Sequence, residues 1–283
     1  MNNHPRMNDG CLGSNGVSPQ RLGPTFPGAR SARPRPPGRL SWHLLNVSAM
    51  AKPKSAFLDF IRHVVNGDIV EVSRLLRVCP SLATAPAEVG AARHDALDFF
   101  FKKIAHYLYA GDTPLHMASA AFQCPVAALL VAHGADCRSK NRRGAEPLHY
   151  AADANRWEPV TQVQTIEYLL SVGADPIVWD HSGVAPLHRA VRTRSLPAVR
   201  ALLDGGAQPS APNKAGSTPL HLAVQTTGRG GSGSEHARQQ QMGIIRLLLE
   251  RGASPTDRDG RGKQVRQTAT SEWIRTLLAD GSD

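Results

Sequence analysis

The chain has 283 residues, of which 41% are hydrophobic and 5% aromatic, so it can bury a sizeable core built mainly from Ala, Leu and Val. Lys and Arg (33) outnumber Asp and Glu (23), and the net charge of +10 favours an acidic partner. The sequence contains no run of about 18 apolar residues that could span a membrane, and residues 40–51 make a poor signal peptide. Four scattered cysteines exclude a disulfide scaffold. We therefore expect a cytoplasmic protein without membrane association.

The first 49 residues differ in composition from the rest of the chain. They contain seven Pro and six Gly, and six Arg face a single acid, Asp9, so half of the net charge lies here. A segment this rich in Pro and Gly cannot bury enough surface to fold, which predicts a disordered extension over residues 1–49. The Arg content loosely fits a targeting peptide, but Pro34, Pro36 and Pro37 prevent the amphipathic helix that such a peptide needs. Met50 is an alternative start of the working protein.

Two short signatures recur in register along the remaining chain. The first, Gly-x-x-Pro-Leu-His, occurs four times, with glycine spacings of 33, 39 and 33 residues. Its last three positions are Pro114, Leu115, His116, Pro147, Leu148, His149, Pro186, Leu187, His188, Pro219, Leu220 and His221. The second is a Gly-Ala pair that ends a leucine-containing run after each copy. Its glycines are Gly134, Gly173, Gly206 and Gly252. Paired signatures in register indicate an internal repeat.

Each position of the signatures has a structural role that follows from its chemistry. Thr113 and Thr218 can cap a helix with their hydroxyls, the prolines suit the first helical position, and the leucines face a core. Ala185 stands at the capping position of one copy and is expected to lose about 1 kcal/mol. The histidines are expected to hydrogen-bond the neighbouring loop and tie successive units together. The glycines are expected to end a second helix in the left-handed conformation.

The signatures resemble the ankyrin repeat, of the bacterial type, whose period is 33 residues. The resemblance implies an all-α solenoid of helix-turn-helix units joined by β-hairpin-like loops, here over residues 50–283. We divide it into an N-terminal capping unit (54–83), repeats (109–140, 141–179, 180–212 and 213–258) and a C-terminal capping unit (259–280). An insertion separates the first two units at 84–108. Leu97, Phe101, Ile104 and Leu108 are helically spaced in it and predict an additional amphipathic helix.

Several motifs suggest chemistry that their context does not support. The glycine loop Gly228–Gly233 matches G-x-G-x-x-G, but no strand precedes it and Ser234 occupies the place of a P-loop lysine. Phosphate binding there is an alternative to a flexible connector. Cys124 and Cys137 lack zinc-ligand spacing, and no nucleophile is paired with a base. We therefore expect no cofactor, no metal and no catalytic activity.

The resemblance also implies where a partner binds, because ankyrin partners usually contact the hairpin tips and the exposed inner-helix residues. The corresponding residues are Tyr109, Asp112, Lys140, Arg142, Arg143, Asp153, Trp179, His181, Arg192, Lys214, Arg258, Arg261 and Lys263. Most are basic, which predicts a partner protein with an acidic surface. We therefore expect a monomeric, non-catalytic scaffold that binds such a partner. Nucleic-acid binding through the same face and the Arg-rich tail is the alternative. It is disfavoured because the sequence offers no interleaved aromatic platform beyond Trp179 and Tyr109 and no basic helix sized for a groove.

Overall fold

The computed structural model describes residues 53–92, 96–153, 157–225 and 234–280, so the extension 1–49 and the glycine loop 228–233 lie outside the described residues. The described chain forms helix-turn-helix units with one short β-hairpin. None of its helices is both long and apolar enough to cross a membrane. The unit boundaries and the disorder of residues 1–49 stay predictions.

Each unit consists of an inner and an outer helix. The inner helices are α1 (Pro53–Asn66), α3 (Pro114–Ala120), α5 (Pro147–Ala152), α7 (Pro186–Arg192), α9 (Pro219–Ala223) and α11 (Val265–Thr268). The outer helices are α2 (Ile69–Val78), α4 (Cys124–Ala132), α6 (Pro159–Ser171), α8 (Leu196–Asp204), α10 (Glu235–Glu250) and α12 (Glu272–Asp280). Inner helices pack on inner helices throughout, and outer helices pack on outer helices from α2 to α10. The predicted all-α stack of helix-turn-helix units is confirmed.

The inner helices pack closely because the side chains buried between them are small alanines or leucines that recur at the same position in each unit. The signature leucines are at most 1% exposed. The alanines two residues after each histidine, Ala118, Ala151, Ala190 and Ala223, are at most 4% exposed. At the end of the outer helices, Gly134, Gly173, Gly206 and Gly252 have φ values between +89° and +98°, which a side chain would strain. Small residues inside and glycine at the turn therefore set the unit geometry.

The insertion does not form the amphipathic helix predicted for it. It contains 3-10 turns at Ala96–Phe99 and Lys102–Ile104, and an antiparallel hairpin of β1 (Phe100–Phe101) and β2 (His106–Tyr107). Ala105 closes the hairpin with a φ of +47°, which an α-helix does not allow. Two of the three consecutive phenylalanines, Phe100 and Phe101, form β1, in line with the preference of aromatic residues for strands.

The signature histidines join each unit to the next. Their Nε2 atoms donate to Ala145 O (3.0 Å), Val184 O (2.9 Å), Ser217 O (3.3 Å) and Lys263 O (3.2 Å) of the following unit. Their Nδ1 atoms accept the amides of Thr113, Glu146, Ala185 and Thr218, at 3.1 to 3.3 Å. One nitrogen donates and the other accepts, so each ring is assigned as neutral. Burial lowers the pKa of His149 to about 4 and also lowers the pKa values of His116 and His188.

The two threonines at the capping position behave differently. Both hydroxyls lie 2.9 Å from the Nδ1 of the histidine three residues on. Thr218 Oγ1 also accepts the His221 amide, at 3.4 Å, as predicted for a cap. Thr113 makes no such cap bond, although its hydroxyl contacts the ring of His116 at the same distance. In both units the histidine ring accepts the amide of the capping threonine itself.

Candidate functional site

The hairpin tips are built on an Asn or Asp side chain that lies three residues before a glycine. Each side-chain Oδ1 accepts two backbone amides of its own tip, at 2.8 to 3.0 Å. These residues are Asn141, Asp180, Asn213 and Asp259. Sequence reasoning missed them as a set, although their fixed offset from the glycine could have identified them. At Asp259 the two bonds close a tight turn between Asp259 and Lys263.

Backbone hydrogen bonds also connect neighbouring tips. Arg142 N donates to Ala110 O (3.3 Å), and His181 N donates to Arg143 O (2.8 Å). Further along the stack, Lys214 N donates to Gly183 O (3.2 Å), and Gly260 N to Ala215 O (3.0 Å). These bonds use backbone atoms alone, so they fix the spacing of the tips and leave the side chains free to face solvent.

Most of the exposed side chains of the tips are basic, whereas most of the acids there are buried. The predicted partner-binding residues that are exposed are Lys140, Arg142, Arg143, Trp179, His181, Arg192, Lys214, Arg258, Arg261 and Lys263. Glu146 is 1% exposed and Asp180 is 9% exposed. The positive charge of the tips is therefore directed outward, and much of the compensating negative charge is directed inward.

Asp112 corrects one of the sequence predictions. We expected it on the partner-binding face, but it is fully buried. Its carboxylate accepts hydrogen bonds from Tyr109 N (2.6 Å), Asn141 Nδ2 (2.8 Å) and Tyr150 Oη (2.7 Å). Two of these donors belong to the next unit, so Asp112 joins units instead of contacting a partner. Burial raises the pKa of Tyr150 well above its usual range.

A chain of ion pairs crosses the inner helices beside the tips. Arg189 on α7 lies 2.9 Å from the Asp180 carboxylate and 3.5 Å from the Asp153 carboxylate. The exposed Arg192 also reaches Asp153, at 3.5 Å. Burial opposes ionisation of Asp180, but the Val184 amide and Arg189 outweigh it and lower its pKa. Asp153 is half-buried and paired, so of the two predicted inner-helix residues Arg192 is the more available to a partner.

Two aromatic side chains lie among the exposed cations. The Arg143 guanidinium carbon lies 4.1 Å from the centre of the half-buried Tyr109 ring, in a cation–π arrangement. Trp179 is 39% exposed, and its ring centre lies 5.7 Å from that of His188. Arg, Tyr and Trp are the side chains that contribute most to protein interfaces. The tips therefore combine charge with rigid apolar surface.

Glu146 is a buried acid without adequate compensation. It occupies the capping position of α5, and its side chain is 1% exposed. Lys140 Nζ is 3.8 Å from Oε1, and within the described part of the chain Oε2 has no hydrogen-bond partner. Burial raises the pKa of Glu146 to about 7. Ionisation of this residue therefore opposes folding at neutral pH.

The chemistry-bearing motifs give no second site in the described residues. No group of three or more His, Cys, Asp or Glu in that part of the chain is placed to hold a metal. The glycine loop 228–233, where phosphate binding was the alternative, lies outside the described residues. A groove of about 340 Å³ lies between α10 and α12, beside Arg238, Arg246 and Trp273. None of the predicted partner-binding residues lines it.

A comparison with known protein families identifies the fold family. The family model described as ankyrin repeats (3 copies) matches residues 89–180 and 160–259, which together make up more than half of the chain. Proteins of this family generally use ankyrin repeats as protein-protein interaction modules. The repeated Pro-Leu-His starts, the histidine bonds between units and the glycine-terminated outer helices are the structural counterpart of this match. The chain belongs to the ankyrin repeat family.

Proposed function

We propose that this protein is a non-catalytic scaffold that binds a protein with an acidic surface through its basic hairpin tips. The observation that carries the proposal is the charge arrangement at the tips. Lys and Arg side chains there are exposed, whereas Asp112, Glu146 and Asp180 are buried. Complementary charge across an interface speeds association and selects the partner.

The rigidity of the tips supports the same proposal. Their side-chain caps and backbone bonds hold Arg142, Arg143, His181 and Lys214 at fixed spacing. A preorganised surface loses little conformational entropy on binding, so more of the contact energy contributes to affinity. We place this activity in the cytoplasm, in line with the free thiols of Cys79, Cys124 and Cys137.

The experiment compares proteins retained from a cell lysate by three forms of the immobilised full-length chain. The first is wild type, and the second carries Arg142→Glu and Arg143→Glu at the tips. The matched control carries Arg200→Glu and Arg246→Glu, which alter the net charge equally but lie on the exposed outer helices α8 and α10. We expect wild type and control to retain the same acidic proteins and the tip variant to lose them. Equal retention by the tip variant would contradict the proposal.

A salt titration separates this function from nucleic-acid binding. The nucleic-acid alternative predicts that affinity for a generic DNA duplex falls steeply with rising salt, because phosphate contacts release counterions. We expect no saturable duplex binding at physiological salt. Saturable binding that is lost with the tip reversals would favour the alternative.

A further inference from the structure

The insertion 84–108 is anchored to the repeats by one side of its hairpin. Phe99, Ile104 and Leu108 are buried, with exposures of 5%, 1% and 0%. Ala87 N donates to Asp112 O at 2.7 Å, Gly111 N donates to Ala87 O at 2.8 Å, and Lys103 Nζ donates to Asn66 O at 3.2 Å. These contacts give the hairpin a defined position even though it lies outside the repeat frame.

The histidine of β2 fixes the hairpin against the inner helices. The His106 ring centre lies 4.8 Å from that of Tyr150 on α5 and 6.2 Å from that of Tyr109. Its Nδ1 is 2.7 Å from Tyr107 O, to which it donates. Burial lowers the pKa of His106, so the ring packs in its neutral form. The hairpin is therefore held against the tip that contains Tyr109 and against α5.

The other side of the hairpin exposes apolar side chains. Leu97 is 82% exposed and Phe100 is 37% exposed. The Phe100 ring centre lies 4.8 Å from that of Tyr107, which lies 6.3 Å from that of Tyr109. We call these three rings the aromatic ridge. An anchored segment that presents contiguous apolar surface to solvent is typical of an interaction site.

Charge is distributed unevenly along the ridge. At its Tyr109 end the Arg143 guanidinium lies over the ring at 4.1 Å, and the exposed Arg142 is adjacent in sequence. The acid of this turn, Asp112, is buried and already bound by three donors. At the opposite end Leu97 is followed by the exposed Asp98, whose negative charge disfavours the carboxylates of a partner there. One end of the ridge therefore carries cations, and the other combines the apolar Leu97 with the acidic Asp98.

We propose that the aromatic ridge and Arg143 form a docking surface for an acidic peptide segment that carries one large apolar side chain. The apolar side chain packs on Leu97 and Phe100, and the carboxylates meet Arg142 and Arg143. The path from Phe100 through Tyr107 and Tyr109 to Arg143 can be spanned by an extended peptide, at about 3.3 Å per residue. This length leaves roughly four residues between the apolar side chain of the peptide and its carboxylates. This inference rests on the proposed function and names the chemistry of its partner.

Three labelled peptides test the proposal by fluorescence anisotropy with the full-length chain. The first contains one Leu, four Gly and four Glu in that order. The second has Ala in place of Leu, and the third has Gln in place of every Glu. We expect the first peptide to bind at least about fivefold more tightly than either of the others, because each end of the ridge contributes.

Variants of the exposed side chains locate the binding. Leu97→Ser and Phe100→Ser, separately and together, are expected to remove the preference for Leu over Ala without loss of the preference for Glu over Gln. The matched control is Val70→Ser, which alters a 76% exposed apolar residue on α2 and is expected to leave both preferences intact. Thermal unfolding by circular dichroism checks that each variant is folded. The single Leu97 variant keeps the test valid if Phe100→Ser unfolds the hairpin.

The outcomes separate this inference from the proposed function. If the acidic peptides bind and depend on Arg142 and Arg143, but Leu gives no advantage, the ridge proposal is overturned and the basic face stands. A Leu preference that persists in the double Ser variant overturns it as well. If no peptide binds wild type, the ridge proposal is overturned, and the lysate comparison with the Arg142→Glu and Arg143→Glu variant decides the proposed function separately.

Discussion

Replacing Glu146 by Gln is expected to stabilise the protein at pH 8 and to have little effect near pH 4.5. The folded state raises the pKa of Glu146 to about 7 from an ordinary value of 4.5, because the carboxyl is buried. The folded chain therefore holds an additional proton between these pH values, and stability falls as pH rises through this window. The shift corresponds to a penalty of about 3 kcal/mol above pH 7, which the Gln side chain does not incur.

Urea unfolding followed by circular dichroism at pH 5, 6.5 and 8 measures this effect. His116, His149 and His188 also contribute to the pH dependence, but because burial lowers their pKa values their contribution has the opposite sign and is lost as pH falls. Because they are present in both proteins, they cancel in the difference between wild type and variant. The variant's advantage should grow from pH 5 to pH 8. A difference that is independent of pH would refute the assignment of a buried, uncompensated carboxyl.

Three further substitutions test the junctions and the insertion by the same unfolding assay. Ala185→Thr adds a hydroxyl that can accept the His188 amide at the start of α7, as Thr218 accepts the His221 amide, and should raise the free energy of unfolding by about 1 kcal/mol; no gain would show that this amide needs no side-chain cap. Asp112→Ala leaves the Tyr150 hydroxyl and two other buried donors without their acceptor, and should cost about 3 kcal/mol; a neutral result would contradict its role between units. Gly90→Ala places a Cβ against the backbone of Tyr109 and should cost about 1–3 kcal/mol; unchanged stability would mean that this segment does not pack there.

The fold could be predicted from sequence because its determinants are local and repeated. A proline, a leucine and a histidine at fixed offsets start each central inner helix, and a left-handed glycine follows each of the outer helices α4, α6, α8 and α10. The prediction that the histidines tie units together also rests on this periodicity, because each histidine has the same position in its repeat and therefore lies beside the loop of the next repeat. The residues that build the tips, such as Asn141 and Asp180, have a similarly fixed offset and could have been included.

The errors fall where a residue's environment comes from another unit. Asp112 has the sequence position of a tip residue, but its hydrogen-bond donors Asn141 and Tyr150 come from the next unit and draw it inside. The insertion has helical spacing, but the left-handed Ala105 and the packing of His106 on Tyr150 select a hairpin. Neither long-range contact can be inferred from periodicity.

The central claim is that the exposed cations of the tips, and not the net charge, bind the partner. The most direct test uses an acidic protein that the wild-type chain retains. Its dissociation constant is compared between wild type, the variant with two reversed charges at the tips and the variant with two reversed charges on the outer helices. Two reversed cations should cost about 2 kcal/mol, or roughly thirtyfold in affinity. We expect that loss for Arg142→Glu with Arg143→Glu and less than about a twofold change for Arg200→Glu with Arg246→Glu. Equal losses in the two variants would contradict the account.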